Sequence, residues 1–560
     1  MFAQDHMILI ATAKDTFNGM HSFNSFDSAV LITYFTALAI LTVYGLHKGW
    51  LVYNYLRWRR NVPRVATDPT EWPAVTIQLP FYNERYVVER LLDAVARIDY
   101  PRRLLDIQVL DDSTDDTQQV ARFHVKRWQK RGLPVRYFHR GNRAGFKSGN
   151  LAEGLKYATG EFVAHFDADF VPEPDFLRRT LPYFQNPKIA VVQARWTYLN
   201  GNFSVLTEVQ SMMQNGHFTI EQGARSRSGA FFNFNGTAGI WRRAAIDDAG
   251  GWQHDTLTED TDLSYRAQLR GWRFLYLPYI ECPSELPIEM NAFKAQQSRW
   301  SKGLIQTAKK LLPRILLSDA PVRAKFEAFF HLTAPLTAPV MIILSVLLLP
   351  ATLVRFHQGR FQSVWIDTPG IISSLAIVAF YVVSQQSLHP REWKRLLLFL
   401  PLLMALGIGL SVSNAKAVLE GILGVKSDFV RTPKYNIDGK SGAWYAKQYW
   451  SPAGWVPFVE IAFGLFYVYG VISMLRMGNY RMVPFLLLFV SGFLYIGVVS
   501  LMQRWWGQLR ERTQSAPSSA VQPAAPAEVT LPQLSEVESL PYLESAPVVE
   551  RGVSPLDSEY

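Results

Sequence analysis

Six long apolar stretches constrain this 560-residue chain more than any other feature of its sequence. Each approaches or exceeds the roughly 20 residues that a helix needs to cross the hydrocarbon core of a bilayer. Short charged loops lie between several of them, which is typical of membrane helices rather than of helices buried in a soluble core. We therefore expect an integral membrane protein, with apolar stretches at residues 29–46, 331–354, 370–388, 396–413, 455–475 and 483–502.

Basic residues in the flanks predict the orientation of these stretches, because Lys and Arg are enriched in cytosolic loops. Only Lys14 precedes the first stretch, whereas a basic cluster follows it: His47, Lys48, Arg57, Arg59, Arg60 and Arg64. This difference predicts that the N-terminal segment 1–28 faces away from the cytosol and that the chain is cytosolic from residue 57 onward. Basic residues likewise place the loops 389–395 and 414–454, and the C-terminal end, in the cytosol.

This orientation conflicts with six complete crossings. The stretch 396–413 lies between two loops that are both predicted to be cytosolic, so a single crossing there is excluded. Pro401 within it and the partly amphipathic segment 414–423 beyond it favour a helix that lies along the membrane interface or re-enters it. We therefore expect five crossings, with six as the alternative.

Composition changes again beyond the last stretch. Residues 513–560 contain much Ser, Pro, Ala and Glu, which favours a disordered acidic tail. The net charge of +10 first suggests a nucleic-acid partner, but much of it lies in the flanks that orient the helices, and no nucleic-acid partner is expected. The single cysteine, Cys282, excludes a disulfide framework and a cysteine-built metal site. The predicted parts are an extracytoplasmic segment 1–28, a first helix 29–56, a cytosolic domain 57–325, a membrane domain 326–502 and the tail 503–560.

Within the cytosolic domain, short apolar runs alternate with amphipathic stretches. This alternation predicts an α/β domain with a mainly parallel sheet. In such sheets ligands bind beyond the carboxyl ends of the strands. The predicted strands are residues 74–79, 105–110, 135–138 and 162–166.

Two acidic pairs follow predicted strands. Asp167 and Asp169 stand two residues apart, so in extended chain both carboxylates can face one cation. Mg²⁺ or Mn²⁺ suits such hard oxygen ligands and usually takes its remaining ligands from phosphates and water. Asp111 and Asp112 follow another strand, where a carboxylate is suited either to a nucleotide base or ribose or to an Asx turn that caps the next helix.

Two further motifs stand at predicted helix starts. Lys147 precedes one of them, a position where a lysine and free backbone N–H groups suit a phosphate. Asp260, in the sequence Thr258-Glu259-Asp260, precedes the predicted helix 261–270 and suits either a general base or a helix cap.

The last motif stands just before the membrane domain and contains Gln296, Arg299 and Trp300. Arg299 is suited to bidentate binding of a diphosphate. Trp300 offers a flat apolar face on which a sugar ring can stack. A belt of Trp and Arg at the membrane interface is the alternative.

The order of these motifs, followed by membrane spans, resembles that of the processive family 2 inverting glycosyltransferases, the group of cellulose, hyaluronan and mannan synthases. The resemblance covers roughly residues 74–440 and is greatest to the cellulose-synthase-like mannan and glucan synthases. The segments that are similar to theirs are 234–239, 249–252, 284–287 and 429–434.

The resemblance implies a GT-A-type nucleotide-sugar domain inserted between transmembrane helices, with roles for particular residues. It implies a catalytic base, Asp260, and a metal site for Mg²⁺ or Mn²⁺ at Asp167 and Asp169. Segment 429–434 resembles the mobile loop that covers the nucleotide in this family. The residues implied to bind the nucleotide sugar are Asp111, Asp112, Lys147, Asp167, Gln296 and Arg299. Those implied to bind the acceptor are Trp300, Asn235 and Gly236.

The function implied by the resemblance is the polymerisation of GDP-mannose or UDP-glucose into a β-1,4-linked mannan, glucomannan or glucan, with export of the chain across the bilayer, as in cell-wall synthesis. Its expected location is the plasma membrane in a bacterium or the Golgi in a eukaryote. A single transfer to a lipid acceptor would use the same nucleotide and metal residues and is the alternative. A transport or scaffold protein without catalysis would not need all the acidic positions.

Overall fold

The computed structural model describes residues 23–64, 67–357, 368–426, 431–439, 449, 451 and 454–515. Among these residues, seven strands form one sheet in the order β3-β2-β1-β4-β6-β5-β7. β6 runs antiparallel to both of its neighbours, and the remaining pairs are parallel, which confirms the mainly parallel sheet. The strands are β1 (Val75–Phe81), β2 (Leu105–Asp111), β3 (Val135–His139), β4 (Phe162–His165), β5 (Ile189–Tyr198), β6 (Gly239–Arg242) and β7 (Arg273–Ser284).

Helices surround the sheet and build the membrane domain. The first ten are α1 (Ser25–Arg57), α2 (Val88–Ala96), α3 (Thr117–Lys130), α4 (Phe146–Lys156), α5 (Phe176–Thr180), α6 (Val205–Gly216), α7 (Gly223–Ser228), α8 (Arg243–Asp248), α9 (Glu259–Leu269) and α10 (Met290–Leu317). The others are α11 (Val322–Thr333), α12 (Thr337–His357), α13 (Thr368–Leu388), α14 (Trp393–Leu396), α15 (Leu400–Gly409), α16 (Ser411–Leu423), α17 (Val456–Arg476) and α18 (Val483–Ser515). A π-helical turn, His217–Gln222, joins α6 to α7.

Alternate side chains of the strands enter two separate hydrophobic cores. In β4, Ala164 belongs to the core that contains Leu91 of α2, whereas Val163 belongs to the core that contains Leu151 of α4. Because successive strand residues point to opposite faces, helices cover both faces of the sheet. β1 and β2 are buried along their whole length, although each has two polar residues in its interior, Thr76 and Gln78 in β1 and Asp106 and Gln108 in β2.

Six helical stretches in the described part of the chain are long and apolar enough to cross a membrane, and each contains one predicted apolar stretch, except that Trp455 lies just before the helix Val456–Arg476. One of them, Trp393–Leu423, differs in its surroundings. Within its 18-residue apolar segment, 56% is buried inside the protein, against 22–39% in the corresponding segments of the other five stretches. Leu403 and Leu406 within it pack against Val209 of α6, and Lys302 of α10 forms an ion pair of 3.0 Å with Glu420.

The predicted start of the disordered tail at residue 503 is wrong, because α18 continues to Ser515. The sequence from 503 to 515 has Gln, Arg, Leu and Glu, which are good helix formers, and the first proline after it is Pro517. Residues 516–560 and the segment 1–22 lie outside the described residues.

Two glycines set how closely α15 approaches α18. A Cβ at Gly409 would lie 2.4 Å from the carbonyl oxygen of Gly492, and a Cβ at Gly492 would lie 2.2 Å from that of Ala405. Small residues at helix contacts are what allows two backbones to come this close.

We expect Gly409→Val to force α15 and α18 apart and to lower the Tm of the detergent-purified protein by several degrees, since overpacking costs about 1–3 kcal/mol. Gly407→Val is the matched control, because a Cβ there meets no atom within 4 Å and the change of helix propensity is the same. Equal Tm values for the two variants would contradict this close approach.

Candidate active site

An open cleft with about 1210 Å³ of empty space lies where β1, β2 and β4 end. Residues from distant parts of the chain meet there. All of the sequence-predicted site residues except Asp111 line this cleft: Asp112, Lys147, Asp167, Asp169, Asn235, Gly236, Asp260, Gln296, Arg299 and Trp300.

Asp111 lies outside the cleft because its side chain is fully buried behind it. Its carboxylate accepts hydrogen bonds from the Tyr137 hydroxyl at 2.7 Å and from the backbone N–H of Ser113 at 2.8 Å. The second bond has the pattern of the Asx turn that was the alternative interpretation. Asp112 does line the cleft, where Arg140 Nε donates to its Oδ1 at 2.8 Å.

The loop after β4 is held by the loop before β6. The hydroxyl of Thr237 accepts a hydrogen bond from the backbone N–H of Asp167 at 2.9 Å, and Ala238 N–H donates to the carbonyl of His165 at 2.9 Å. These two bonds place Asp167 beside the Asn235–Gly236 turn, at the edge where the parallel strands end.

Two lysines neutralise the Asp167–Asp169 pair. Lys147 Nζ lies 2.5 Å from Asp167 Oδ1, and Lys434 Nζ lies 2.7 Å from Asp169 Oδ2. Burial opposes the charge on Lys147, but Asp167 and Glu259 outweigh that effect and raise its pKa.

The same two carboxylates fit a divalent cation. Their oxygens already bind the positively charged ammonium groups of Lys147 and Lys434. Carboxylate oxygens are also the hard ligands that Mg²⁺ or Mn²⁺ prefers. Within the described residues no group of three or more His, Cys, Asp or Glu side chains could hold a metal. An ion at Asp167 and Asp169 would therefore complete its ligand set with substrate phosphates and water.

Asp260 lies in the first turn of α9, and Thr258, not Asp260, is the N-cap of that helix. A Cβ at Gly236 would lie 2.9 Å from Asp260 Oδ2, and the backbone of Gly236 has a φ of +80°, so glycine is needed beside this carboxylate. Burial, followed by the charge of Glu259, raises the pKa of Asp260 to about 7. A carboxylate with such a pKa is suited to general base catalysis near neutral pH.

Gln296, Arg299 and Trp300 lie on one face of α10, because their spacing is i, i+3 and i+4. All three line the cleft, so they are not merely part of a belt at the membrane interface. Burial lowers the pKa of Arg299, while Glu259, Asp167 and Asp260 act to raise it, so its guanidinium lies among these carboxylates.

Contacts with the turn before α9 fix the position of α10. A Cβ at Gly303 would lie only 2.5 Å from Thr258 Cγ2, so the two elements are in direct contact. The side-chain oxygen of Gln306 accepts a hydrogen bond from Leu257 N–H at 2.9 Å. The helix that carries Arg299 is thus held against the turn that carries Asp260.

The described part of the predicted covering segment lies over the cleft, and its residues Phe429 and Val430 lie outside the described residues. Arg431 forms an ion pair with Glu84 and donates a hydrogen bond of 2.9 Å to the carbonyl of Asn83. The carboxylate of Glu285 accepts hydrogen bonds from the backbone N–H groups of Tyr435 and Ile437, at 2.6 and 3.1 Å.

Among the residues that line the cleft and that sequence reasoning did not assign to the site are three charged ones, Arg143, Glu259 and Glu285. Arg143 lies over the ring of Tyr82 at 3.3 Å, and a signal for it is its place in the basic loop before Lys147. Glu259 belongs to the recognised Thr-Glu-Asp motif. Glu285 lies in segment 284–287, but its contacts are with residues about 150 positions away, and no local pattern indicates them.

Comparisons with known proteins identify the family of this chain. The family model "Glycosyltransferase like family 2" matches residues 73–303. Glucomannan 4-beta-mannosyltransferase 2 of Arabidopsis thaliana is 45% identical over 280 residues, which are 48% of this chain and 52% of that protein. Probable glucomannan 4-beta-mannosyltransferase 9 of Oryza sativa subsp. japonica is 38% identical over 383 residues, which are 66% of this chain and 70% of that protein.

A solved mannosyltransferase from Pyrobaculum calidifontis, in complex with GDP-Man and Mn²⁺, is 21% identical, with a TM-score of 0.48 over 70% of this chain and 100% of that chain. The chain spans about half the length of the Arabidopsis relative and more of the rice protein. The identity over 70% of the rice protein confirms the resemblance. This chain belongs to the cellulose-synthase-like family 2 glycosyltransferases and is similar to glucomannan 4-beta-mannosyltransferases.

Proposed function

We propose that this integral membrane protein is an inverting glycosyltransferase that polymerises GDP-mannose into a β-1,4-linked mannan or glucomannan and extrudes it. The observation that carries the proposal is the meeting of Asp260, the Asp167–Asp169 pair and Arg299 in one cleft. The relatives are named as mannosyltransferases, which favours GDP-mannose over UDP-glucose as the donor.

The chemical step follows from the position and pKa of Asp260. Its carboxylate takes the proton of the acceptor hydroxyl, and the oxygen attacks the anomeric carbon of the donor. As this bond forms, the bond from the anomeric carbon to the phosphate oxygen breaks, and the nucleoside diphosphate leaves with the electron pair. Attack from the face opposite to the leaving group inverts the configuration of that carbon.

Cationic side chains stabilise the charge that develops on the leaving diphosphate. Lys147 and Arg299 both line the cleft, and partial burial strengthens their electrostatic effect. A Mg²⁺ or Mn²⁺ ion held by Asp167 and Asp169 would supply further stabilisation of the same charge. Asp112, paired with Arg140, supports the nucleotide at the side of the cleft where β2 ends.

The acceptor occupies the part of the cleft that Trp300, Asn235 and Gly236 line. A sugar ring stacked on the indole of Trp300 keeps its hydroxyl oriented toward Asp260, which supplies much of the positioning that a transfer between two bound substrates needs. Gly236 leaves this path open, because any side chain there would crowd the base.

The membrane topology proposed is five crossings, with the N-terminus outside and the cleft in the cytosol. Both ends of Trp393–Leu423 lie beside the catalytic domain, which supports a helix that does not cross. His389, before it, is close enough to Arg195 and Glu281 of the sheet for their charges to act on it. Lys434, beyond it, contacts Asp169 in the cleft.

Product analysis tests the proposed function directly. The protein in lipid nanodiscs, supplied with Mn²⁺ or Mg²⁺, is incubated separately with radiolabelled GDP-mannose and UDP-glucose. We expect a long product from GDP-mannose that a β-1,4-mannanase digests. A product that is only a single-sugar glycolipid would overturn the polymerase, and incorporation from UDP-glucose alone would overturn the donor.

We expect Asp260→Asn to reduce transfer by about 10²- to 10⁴-fold, because the amide cannot accept the proton. The affinity for GDP, measured by calorimetry, should stay within about twofold of wild type, because a general base lowers the barrier of the chemical step and does not bind the nucleotide. Asp255→Asn is the control, because Asp255 is an exposed carboxylate, 57% accessible, before the same helix. Unchanged turnover in the Asp260 variant would remove the base assignment.

The rate should rise with pH through neutrality. The pKa of Asp260 is raised to about 7, so the carboxylate that accepts the proton is a minority below pH 7 and predominates above it. At saturating donor, turnover at pH 6 should be about one tenth of the plateau reached above pH 8. A profile that is flat from pH 5.5 to 8.5, or that falls with pH, would contradict the assignment.

A further inference from the structure

A π-helical turn interrupts the helix that runs beside the cleft. His217–Gln222 forms this turn between α6 and α7, so the helical phase shifts at that point. Single π-helical turns within α-helices are often found at functional sites. The turn contains His217, Glu221 and Gln222, and none of these residues has a role in the chemistry described above.

Two residues of this turn reach Asn235 in the cleft wall. The Oδ1 of Asn235 lies 3.2 Å from Nε2 of His217, and it accepts hydrogen bonds from Nε2 of Gln222 at 3.1 Å and from Nδ2 of Asn233 at 3.0 Å. The backbone N–H of Asn235 donates to Oε1 of Gln193 at 3.0 Å. Nε2 of Gln222 and Nδ2 of Asn233 also donate to backbone carbonyls, those of Asn233 and Phe234, so both are donors and they fix which end of the Asn235 carboxamide is the oxygen.

The other end of this carboxamide has no protein partner. Nδ2 of Asn235 is buried, and among the described residues no acceptor lies within hydrogen-bond distance of it. A buried donor without an acceptor is unfavourable unless a ligand supplies one. Asn235 lines the cleft next to Gly236, which itself borders the carboxylate of Asp260.

An ionic chain leads from this turn to the first membrane helix. Nδ1 of His217 lies 3.0 Å from Oε2 of Glu221, and Glu221 forms ion pairs with Lys48 of α1 and, at 3.6 Å, with Arg225. Burial acts to raise the pKa of Glu221, but Lys48, His217 and Arg225 outweigh it and hold that pKa well below its ordinary value. Glu221 is thus a charged link between His217 and α1.

A second set of contacts fixes α1 itself at this level. Glu327 of α11, which is almost completely buried, lies 3.4 Å from Nε of Arg225 and 3.3 Å from Nε2 of His47. The indole N–H of Trp50 donates to the same carboxylate at 3.1 Å. The contacts of His47 and Trp50 with Glu327 therefore fix the part of α1 that carries Lys48. The series of ion pairs and hydrogen bonds from Lys48 to Asn235 starts at this fixed part of α1.

We propose that His217 and Glu221 are positioning residues that hold the Asn235 carboxamide with its N–H₂ group available to a hydroxyl of the acceptor sugar, and that Lys48 connects this arrangement to the first membrane helix. The proposal rests on the proposed function, because it assigns the acceptor end of that same site. It predicts an effect on acceptor binding that leaves the nucleotide site unchanged.

The test uses the full-length protein in nanodiscs, after wild-type transfer from GDP-mannose has been established, with β-1,4-mannohexaose as the acceptor. A wild-type protein that transfers no sugar fails the proposed function; the variants are compared only when it does transfer. We expect Lys48→Met, Glu221→Ala and His217→Ala each to raise the acceptor KM by about 5- to 20-fold, which corresponds to loss of one or two hydrogen bonds. The Kd for GDP should stay within about twofold of wild type.

Two comparisons separate positioning from a general structural role. Lys48→Arg keeps the charge and should restore most of the acceptor KM, whereas Lys156→Met, which breaks an exposed ion pair with Glu153, should leave it unchanged. In an Asn235→Ala background, His217→Ala should have no further effect, because its partner is gone. The same increase of KM in both backgrounds, or a parallel loss of GDP affinity, would overturn the proposal.

Discussion

The balance of charge inside the cleft is the constraint on which the rest of the structure depends. Four of the carboxylates that line the cleft, those of Asp167, Asp169, Glu259 and Asp260, lie close to one another, and partly buried charges of one sign are unfavourable unless they are paired. The cations that pair with them come from three separate elements. Lys147 is at the start of α4, Arg299 is on α10, and Lys434 is in the covering segment. The sheet, the helix and the covering segment are therefore fixed relative to one another by the same electrostatic requirement.

The sequence predicts the local features of this arrangement and fails where a contact is not local. Strands β1, β2 and β4 are short segments in which most residues are apolar, and the Asp167–Asp169 pair follows one of them, so the strands and the pair can be recognised without a structure. At the end of β2, adjacent residues point to opposite sides of the chain, and a sequence does not tell which of Asp111 and Asp112 faces the ligand. No sequence signal indicates the hydrogen bonds between Glu285 and the covering segment. The same is true of the π-helical turn at His217 and of the left-handed backbone of Ala238, with a φ of 54° beside Asp167.

Hydropathy has a similar limit in the membrane domain. The segment Trp393–Leu423 is as apolar as the other candidate spans, yet much of its surface contacts α6 and α10. An apolar residue is equally suited to lipid and to a protein interior, so mean hydropathy identifies a buried helix but not what buries it. The distribution of basic residues carries the missing information, because it depends on which flanks face the cytosol.

If Asp169 holds the metal as proposed above, its contact with Lys434 has a consequence for the order in which substrates enter. An ammonium group attached to the same chain is present at a high effective concentration, and a free divalent ion has to compete with it for the carboxylate. A diphosphate that arrives together with the ion changes this competition, because its oxygens offer Lys434 a new partner. The segment would thus disfavour binding of metal alone and favour joint entry of metal and nucleotide, which would make the two ligands thermodynamically cooperative.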